Sequence, residues 1–469
     1  MTKLIIILLI ALSISAVLSG SLVSRTLAQE VIYIRSDGSI EPPTASIQQH
    51  GYLYTLLDDI YGCLIIERDN IIVDGQGFTL KGNSDFKSKG VTIEGRINVT
   101  IKNFQISNFY YGIWLHNSHE SEISGNMLTE NTGRSIWLGY SDNNIVFNNN
   151  ITQNYGRSIM LDHSSHNFIN NNRIIENGCD AIVVCNANHN RVFKNQIKEN
   201  NGRGIWLGYS DNNIVFNNNI TKNNVNGIEL FYSENNTIHG NFIVKNNYYG
   251  IKLESSCYNK IYNNNFINNT IQTCIASSLG NVWNAEYCLG GNYWSHLNNI
   301  DLKKGASQNE TGSDGIADTP YIIGEENIDN YPLVGISESF NISPNGSVVV
   351  VSNLTITKFK YFSYNHTISL CLSSVKNIQA VGFCRVTIPH KLVSPEYFVK
   401  INDVIVNYTV LYNNKTLSTI YFAQEGPTLD IIIVSEYCGE YMFLLLLMIP
   451  TVFWFFIKLR KKITISSIS

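Results

Sequence analysis

The sequence predicts an all-β protein. It is read as a right-handed, single-stranded parallel β-helix of 23-residue coils, then a small β-sandwich, then a C-terminal transmembrane helix. Three observations carry this. A 23-residue period runs without gaps from Gly112 to Gln272. Within each period, apolar residues alternate with outward ones, a repeat of two that belongs to strands. Near the end, the charge-free apolar run Tyr441–Ile457 is followed by Lys458, Arg460, Lys461 and Lys462.

The repeat comes first. Rows of 23 residues align Ile113, Ile136, Ile159, Ile182, Ile205, Ile228 and Ile251 in one column. Two places on stand Leu115, Leu138, Leu161, Val184, Leu207, Leu230 and Leu253. Two further columns are aliphatic, one from Ile123 to Ile261 and one from Leu128 to Phe266. A fixed period of this length means stacked units sharing one core. Asn–Asn, Asn–Gly and Ser–Asn clusters cut each row into runs too short for helices. Three short strands per row then stack coil on coil, about 4.8 Å apart. The segment Ile136–Thr152 recurs unchanged at Ile205–Thr221, three periods later, as if a block of three coils had been duplicated.

Polar columns support the stack. Asn126 to Asn264 and Asn131 to Asn269 recur at every period, as does a mostly Ser column from Ser118 to Ser256. Asparagine tolerates the left-handed backbone of sharp turns. Its amides also bond along a stack, as in other cross-β ladders.

The ends give the compartment. Residues 1–28 read as a signal peptide: an apolar stretch behind Lys3, with a small-residue site before Gln29. Residues 441–459 read as the spanning helix, and the basic tail 460–469 places that end in the cytoplasm. The bulk of the chain is then outside the cell or periplasmic. Net charge is −4 and charged residues are 15%, with no basic stripe, so nucleic acid is not a partner. Nine cysteines in an exported chain could pair. Cys371 and Cys384, flanking a β-rich stretch, are the first pair to consider. Sequons such as Asn98, Asn309, Asn341, Asn353 and Asn414 are sites for glycosylation outside the cell.

Between the ends, residues 29–62 form an N-terminal cap and 63–280 the β-helix. Residues 281–335 drop the period and carry Trp283, Tyr293 and Trp294, reading as the C-terminal cap. Solenoids need such caps over exposed core and strand edges. Residues 336–437 alternate in patterns such as Ser347–Ile356 and Val399–Leu411, which predicts the β-sandwich.

At Cys63–Gly82 (CLIIERDNIIVDGQGFTLKG) the chain resembles the opening coils of the NosD-like family. The resemblance continues through Asn98–Ile106 (NVTIKNFQI) and the Gly-Ile-x-Leu coils. It returns in Gly290–Ser295 (GGNYWS), Ser313–Tyr321 (SDGIADTPY) and Asn330–Leu333 (NYPL), and covers about residues 50–335. It implies a right-handed β-helix protein of the periplasm with a role in copper handling. The chain departs from that role in having only five methionines. Gly382–Pro389 (GFCRVTIP) resembles a β domain that follows such helices in prokaryotic surface proteins.

The register places two candidate sites. His166 and His189 lie one period apart, as do Asp162 and Cys185, with His163 beside them. Imidazoles, a thiolate and a carboxylate at one turn suit copper or zinc. Trp114, Trp137 and Trp206 share an outward column; Arg134, Arg157 and Arg203 share another; Tyr140 and Tyr209 flank them. Aromatics beside guanidiniums suit the rings and carboxylates of a polysaccharide. In the cap, Asp314 and Asp318 form an Asp/Gly turn that could take calcium. Glu176 and Glu199 share a column with Glu130, Gln153, Lys222 and Lys245, which reads as a solvated edge, not as a pair of catalytic carboxyls. The function expected is binding of carbohydrate or a metal ion at the cell surface. The alternatives are a polysaccharide lyase, hydrolase or epimerase, and a structural or adhesion protein.

Overall fold

The computed structural model describes residues 29–435, apart from 299, 325, 343–345 and 375–380. The expected signal peptide (1–28), spanning helix (441–459) and tail (460–469) lie outside the described residues. Among the described residues, no helix is long and apolar enough to cross a membrane.

The first part is a parallel β-helix of about ten turns. One coil shows the pattern: strands Arg134–Gly139, Ile145–Phe147 and Asn150–Thr152 lie on three successive faces. Each pairs in parallel with its counterpart one coil on, so Ile136 meets Ile159, Val146 meets Ile169 and Ile151 meets Ile174. The aliphatic columns line the interior with no exposed surface. Stacking like on like fills the core at every level, so stability grows coil by coil. The spacing departs from 23 at the ends. Val91 pairs with Leu64, 27 positions earlier, and with Ile113, 22 later.

Residues 29–62 build the first coil as well as covering it. Glu30–Ile34 lies parallel to Ile60–Ile66 in the first face. The antiparallel pair Ile47–His50 and Leu53–Leu56 ends the second face, which breaks the template a free parallel edge would offer. At the other end Tyr293–Trp294 continues the third face. The Trp294 ring stacks on Phe266 at 4.4 Å. Trp283 and Trp294 are wholly buried, their indole N–H groups donating to Asn327 and Asp329 at 2.9 Å.

The asparagine columns are buried hydrogen-bond ladders. The Asn149 Oδ1 accepts the backbone N–H and the side-chain amide of Asn126, both at 3.0 Å. Its own amide donates to Ile123 O at 2.9 Å and to Asn172 Oδ1 at 3.0 Å. Asn131 begins the second such ladder. A third runs from Asn144 through Asn167, Asn190, Asn213, Asn236 and Asn259. Each amide satisfies turn groups that would otherwise be buried unpaired.

Residues 336–435 form two five-stranded antiparallel sheets, packed as a sandwich around Val348, Leu370, Val386, Ile420 and Ile431. The expected Cys371–Cys384 disulfide does not form; both thiols are free. The reason is strand alternation. In Thr367–Ser373 the core residues are Ile368, Leu370 and Leu372, and Ser369, Cys371 and Ser373 alternate with them, so Cys371 faces outward. Cys384, on Val381–Pro389 of the other sheet, faces the core. The sandwich docks on the cap. Arg385, fully buried, donates to Asp314 O at 2.7 Å and to Tyr287 O. Thr387 and Thr419 both donate to Cys288 O.

Candidate functional site

In Arg134–Gly139 the side chains of Ile136 and Leu138 point inward, so Trp137 between them points out. The register extends that outward column as Trp114, Trp137, Met160, Val183, Trp206, Glu229 and Lys252. Trp114 and Trp137 stack at 5.5 Å with planes 20° apart. Their facing sides are taken up by each other, and edges and flanks remain for solvent. His116 stacks on both, at 5.3 and 6.1 Å. Two glycines make room. A Cβ on Gly139 would stand 2.2 Å from the Trp137 ring, and one on Gly208 2.5 Å from that of Trp206. Neither glycine is in the left-handed region, so the requirement here is space.

Charge divides this face. Arg157 and Arg203 both lie 3.6 Å from the buried Asp180 carboxylate. Arg203 also pairs with Glu229 at 2.9 Å while lying over the Trp206 ring at 5.1 Å. Those two guanidiniums are neutralised within the protein. Arg134 is not: it reaches the Met160 sulfur (3.1 Å) and the Tyr111 hydroxyl (3.3 Å), and among the described residues it has no carboxylate partner. Lys89 sits 3.0 Å from the centre of the Trp114 ring, and burial lowers its pKa. Glu94 lies near enough to Lys89 to oppose that effect. Cationic side chains and stacked indoles therefore coincide in the N-terminal half, and Arg134 is the one of them without a carboxylate partner among the described residues. Tyr140 stacks on His163 at 4.8 Å and Tyr209 on Tyr232 at 5.4 Å, both from exposed left-handed turn positions. At the N-terminal end of the face, a groove of about 410 Å³ opens beside Thr92, Glu94, Glu67 and Arg96.

The expected metal cluster does not converge. His166 and His189 stack at 5.0 Å, as the register requires. His163 instead pairs with Asp162 at 2.8 Å and lies against Tyr140. The Cys185 sulfur accepts from the Asn186 amide, and burial and Asp162 raise its thiol pKa. All three histidines occupy left-handed turn positions. His166 and His189 lie face to face with their planes 25° apart. Among the described residues, no group of three or more His, Cys, Asp or Glu is placed to hold a metal ion.

The same holds for Asp314 and Asp318. The Asp314 carboxylate accepts from Tyr287 Oη (2.6 Å), Gly305 N, Gln308 Nε2 and Ile316 N. Asp318 accepts from the N–H groups of Leu302 and Lys303. These acids organise the cap's own backbone. Nearby, burial pushes Asp301 up to about 6 and Asp329 up to about 7. On the solenoid, Glu199 is held below the usual carboxylate range by hydrogen bonds to Lys222 and Lys198.

The same period sets an aromatic ladder on the second face. Phe193, Phe216, His239 and Tyr262 lie one period apart and stack at 4.7, 5.2 and 5.2 Å. Burial and Arg191 bring His239 down to about 4, so it is a neutral member of the ladder.

The family model for the periplasmic copper-binding protein NosD matches residues 59–226 and 186–299. No curated protein matches the chain. Among solved structures, a variant of the periplasmic alginate epimerase AlgG is 17% identical with a TM-score of 0.37, covering 52% of this chain and 71% of that one. The A-module of the Azotobacter vinelandii mannuronan C-5 epimerase AlgE4 is 13% identical with a TM-score of 0.33, covering 53% and 85%. A tailspike protein variant of E. coli bacteriophage HK620 is 10% identical with a TM-score of 0.39, covering 83% and 86%.

Proposed function

The chain belongs to the NosD family of β-helix proteins, and from that premise we propose an extracytoplasmic protein that binds an acidic glycan along the Lys89–Trp137 face. The family's periplasmic setting and the apolar leader support the compartment. The segment Tyr441–Ile457 would tether the chain to the membrane.

One observation carries the ligand class. Arg134, which among the described residues has no carboxylate partner, and Lys89, lying over the Trp114 ring, stand beside the stacked Trp114 and Trp137. A uronate or sulfate sugar supplies both complements: an anion for the cations and apolar C–H surface for the exposed indole edges. Coils spaced about 4.8 Å apart repeat at close to the length of one pyranose unit. An extended chain lying along the axis would therefore meet similar chemistry at successive sugars. The joints to the sandwich lie at the other end, on Asn265, Tyr287, Cys288 and Asp314.

We do not place the family's copper role on these residues. The candidate ligands split into an Asp162–His163 pair, a separate Cys185 and a stacked His166–His189 pair. In the Glu176–Glu199 column, Glu199 is paired with Lys198 and Lys222, each at 3.3 Å.

The test is titration of the full chain with oligogalacturonate, oligoalginate and hyaluronan fragments, for the wild type and Trp137→Ala. Binding of at least one acidic glycan, weakened by the substitution and by added salt, supports the reading. Absence of binding to all three, or binding indifferent to Trp137, refutes it.

A further inference from the structure

A cleft of about 950 Å³ opens where the β-helix, its C-terminal cap and the sandwich meet. Tyr262, from the second face, and Lys260 form one wall; Glu286, Tyr287 and Tyr331 of the cap form the floor; Tyr412 of the sandwich closes the other side. Its size and its place at a junction between domains are those of ligand sites. Its walls are fixed. Thr387 and Thr419 pin the Cys288 carbonyl at 3.3 and 3.1 Å, and Arg385 holds that of Tyr287. The Tyr287 hydroxyl is held by Asp314, and its ring meets Tyr331 edge to face at 5.8 Å.

Three of its polar groups stand without a strong partner. Among the described residues, neither Lys260 nor Glu286 has an ion-pair partner, and the Tyr262 hydroxyl makes no hydrogen bond. The Glu286 carboxylate accepts only from the Cys288 thiol, at 4.0 Å, among the described residues. Tyr262 is also the last ring of the Phe193–Phe216–His239–Tyr262 ladder, so a track with one ring per coil leads into the cleft.

We infer that this cleft is a second saccharide site, for a neutral glycan chain that enters along the aromatic ladder. One cation and one anion leave the site balanced, unlike the Lys89–Arg134 face. Tyrosine rings offer stacking surfaces, and the Tyr262 hydroxyl, with Lys260 and Glu286, offers hydrogen bonds to sugar hydroxyls. The inference is independent of the acidic-glycan reading, and either can fail alone.

The full chain is titrated with cello-, malto-, manno- and chitohexaose, for the wild type, Tyr262→Ala, Tyr412→Ala and Trp137→Ala. At least one neutral hexasaccharide is expected to bind, with a loss of about tenfold in either tyrosine variant and no change in Trp137→Ala. Tyr262 and Tyr412 belong to different domains, so a folding defect in one does not mask the other. The inference is overturned if no neutral hexasaccharide binds, if both tyrosine variants bind like the wild type, or if Trp137→Ala abolishes binding.

Discussion

The Trp137 ring lies over Gly139, occupying the space a side chain there would need: a Cβ on residue 139 would stand 2.2 Å from the indole. The same Trp–Gly relation recurs at Trp206 and Gly208. The glycine thus sets where the aromatic stands on the binding face.

Gly139→Ala should therefore displace a ring without breaking the fold. The clash is with the far end of a side chain, so the expected stability loss is about 1 kcal/mol or less, while acidic-glycan binding falls. At Gly156 a Cβ would meet the Gly133 carbonyl oxygen at 1.8 Å, which is backbone. Gly156→Ala should cost about 3 kcal/mol. Denaturant unfolding of the two variants separates a repositioning residue from a packing one.

Asn195→Ala removes a ladder rung. The Asn172 N–H and amide lose their shared acceptor, and Ile169 O and Phe193 O lose a donor. At about 1–3 kcal/mol for each buried group left unpaired, the loss should exceed about 3 kcal/mol. Asn201, an exposed neighbour, should tolerate alanine. Urea midpoints of the two variants give the comparison.

Arg385→Ala should uncouple the sandwich from the cap. It leaves Asp314 O and Tyr287 O without their donor and opens a void in a buried contact. Calorimetry should show two separated transitions, or a sandwich transition lowered well below that of the solenoid. An unchanged single transition would mean the guanidinium carries no coupling.

The cap should weaken as pH rises. Burial lifts Asp329 to about 7, whereas an unfolded aspartate titrates near 4. The folded state then binds the extra proton between those values. Its stabilising effect is complete below pH 4 and is lost as pH rises through about 7. Asp301, up at about 6, acts in the same direction. Asp329→Asn should flatten the slope of melting temperature between pH 5 and pH 8; an unaltered slope would remove Asp329 as its source.

Much of this was readable from the chain. The period fixes which residues are neighbours, so the aliphatic columns, two asparagine ladders, the Trp114–Trp137 stack and the His166–His189 stack follow by counting. The Asn144 ladder and the Phe193–Tyr262 ladder obey the same count but were not picked out. What counting cannot supply is direction and pairing. Strand alternation sends Cys371 and Cys384 opposite ways. His163 pairs with Asp162 and lies against Tyr140, while His166 stacks on His189. Asp180 interrupts the arginine column, and that interruption neutralises Arg157 and Arg203 while leaving Arg134 free. The junction cleft joins residues 260, 287, 331 and 412, which share no period; only the docking of the sandwich brings them together.

The central claim is that acidic glycan is held by Arg134 and not by the arginines already paired with Asp180. The direct measurement is calorimetric titration of Arg134→Ala and Arg203→Ala, side by side, with the acidic oligosaccharide that the wild type binds. Arg134→Ala should lose about tenfold in affinity, about 1.4 kcal/mol, with Arg203→Ala near the wild type. Equal losses, or a loss confined to Arg203→Ala, would contradict the account.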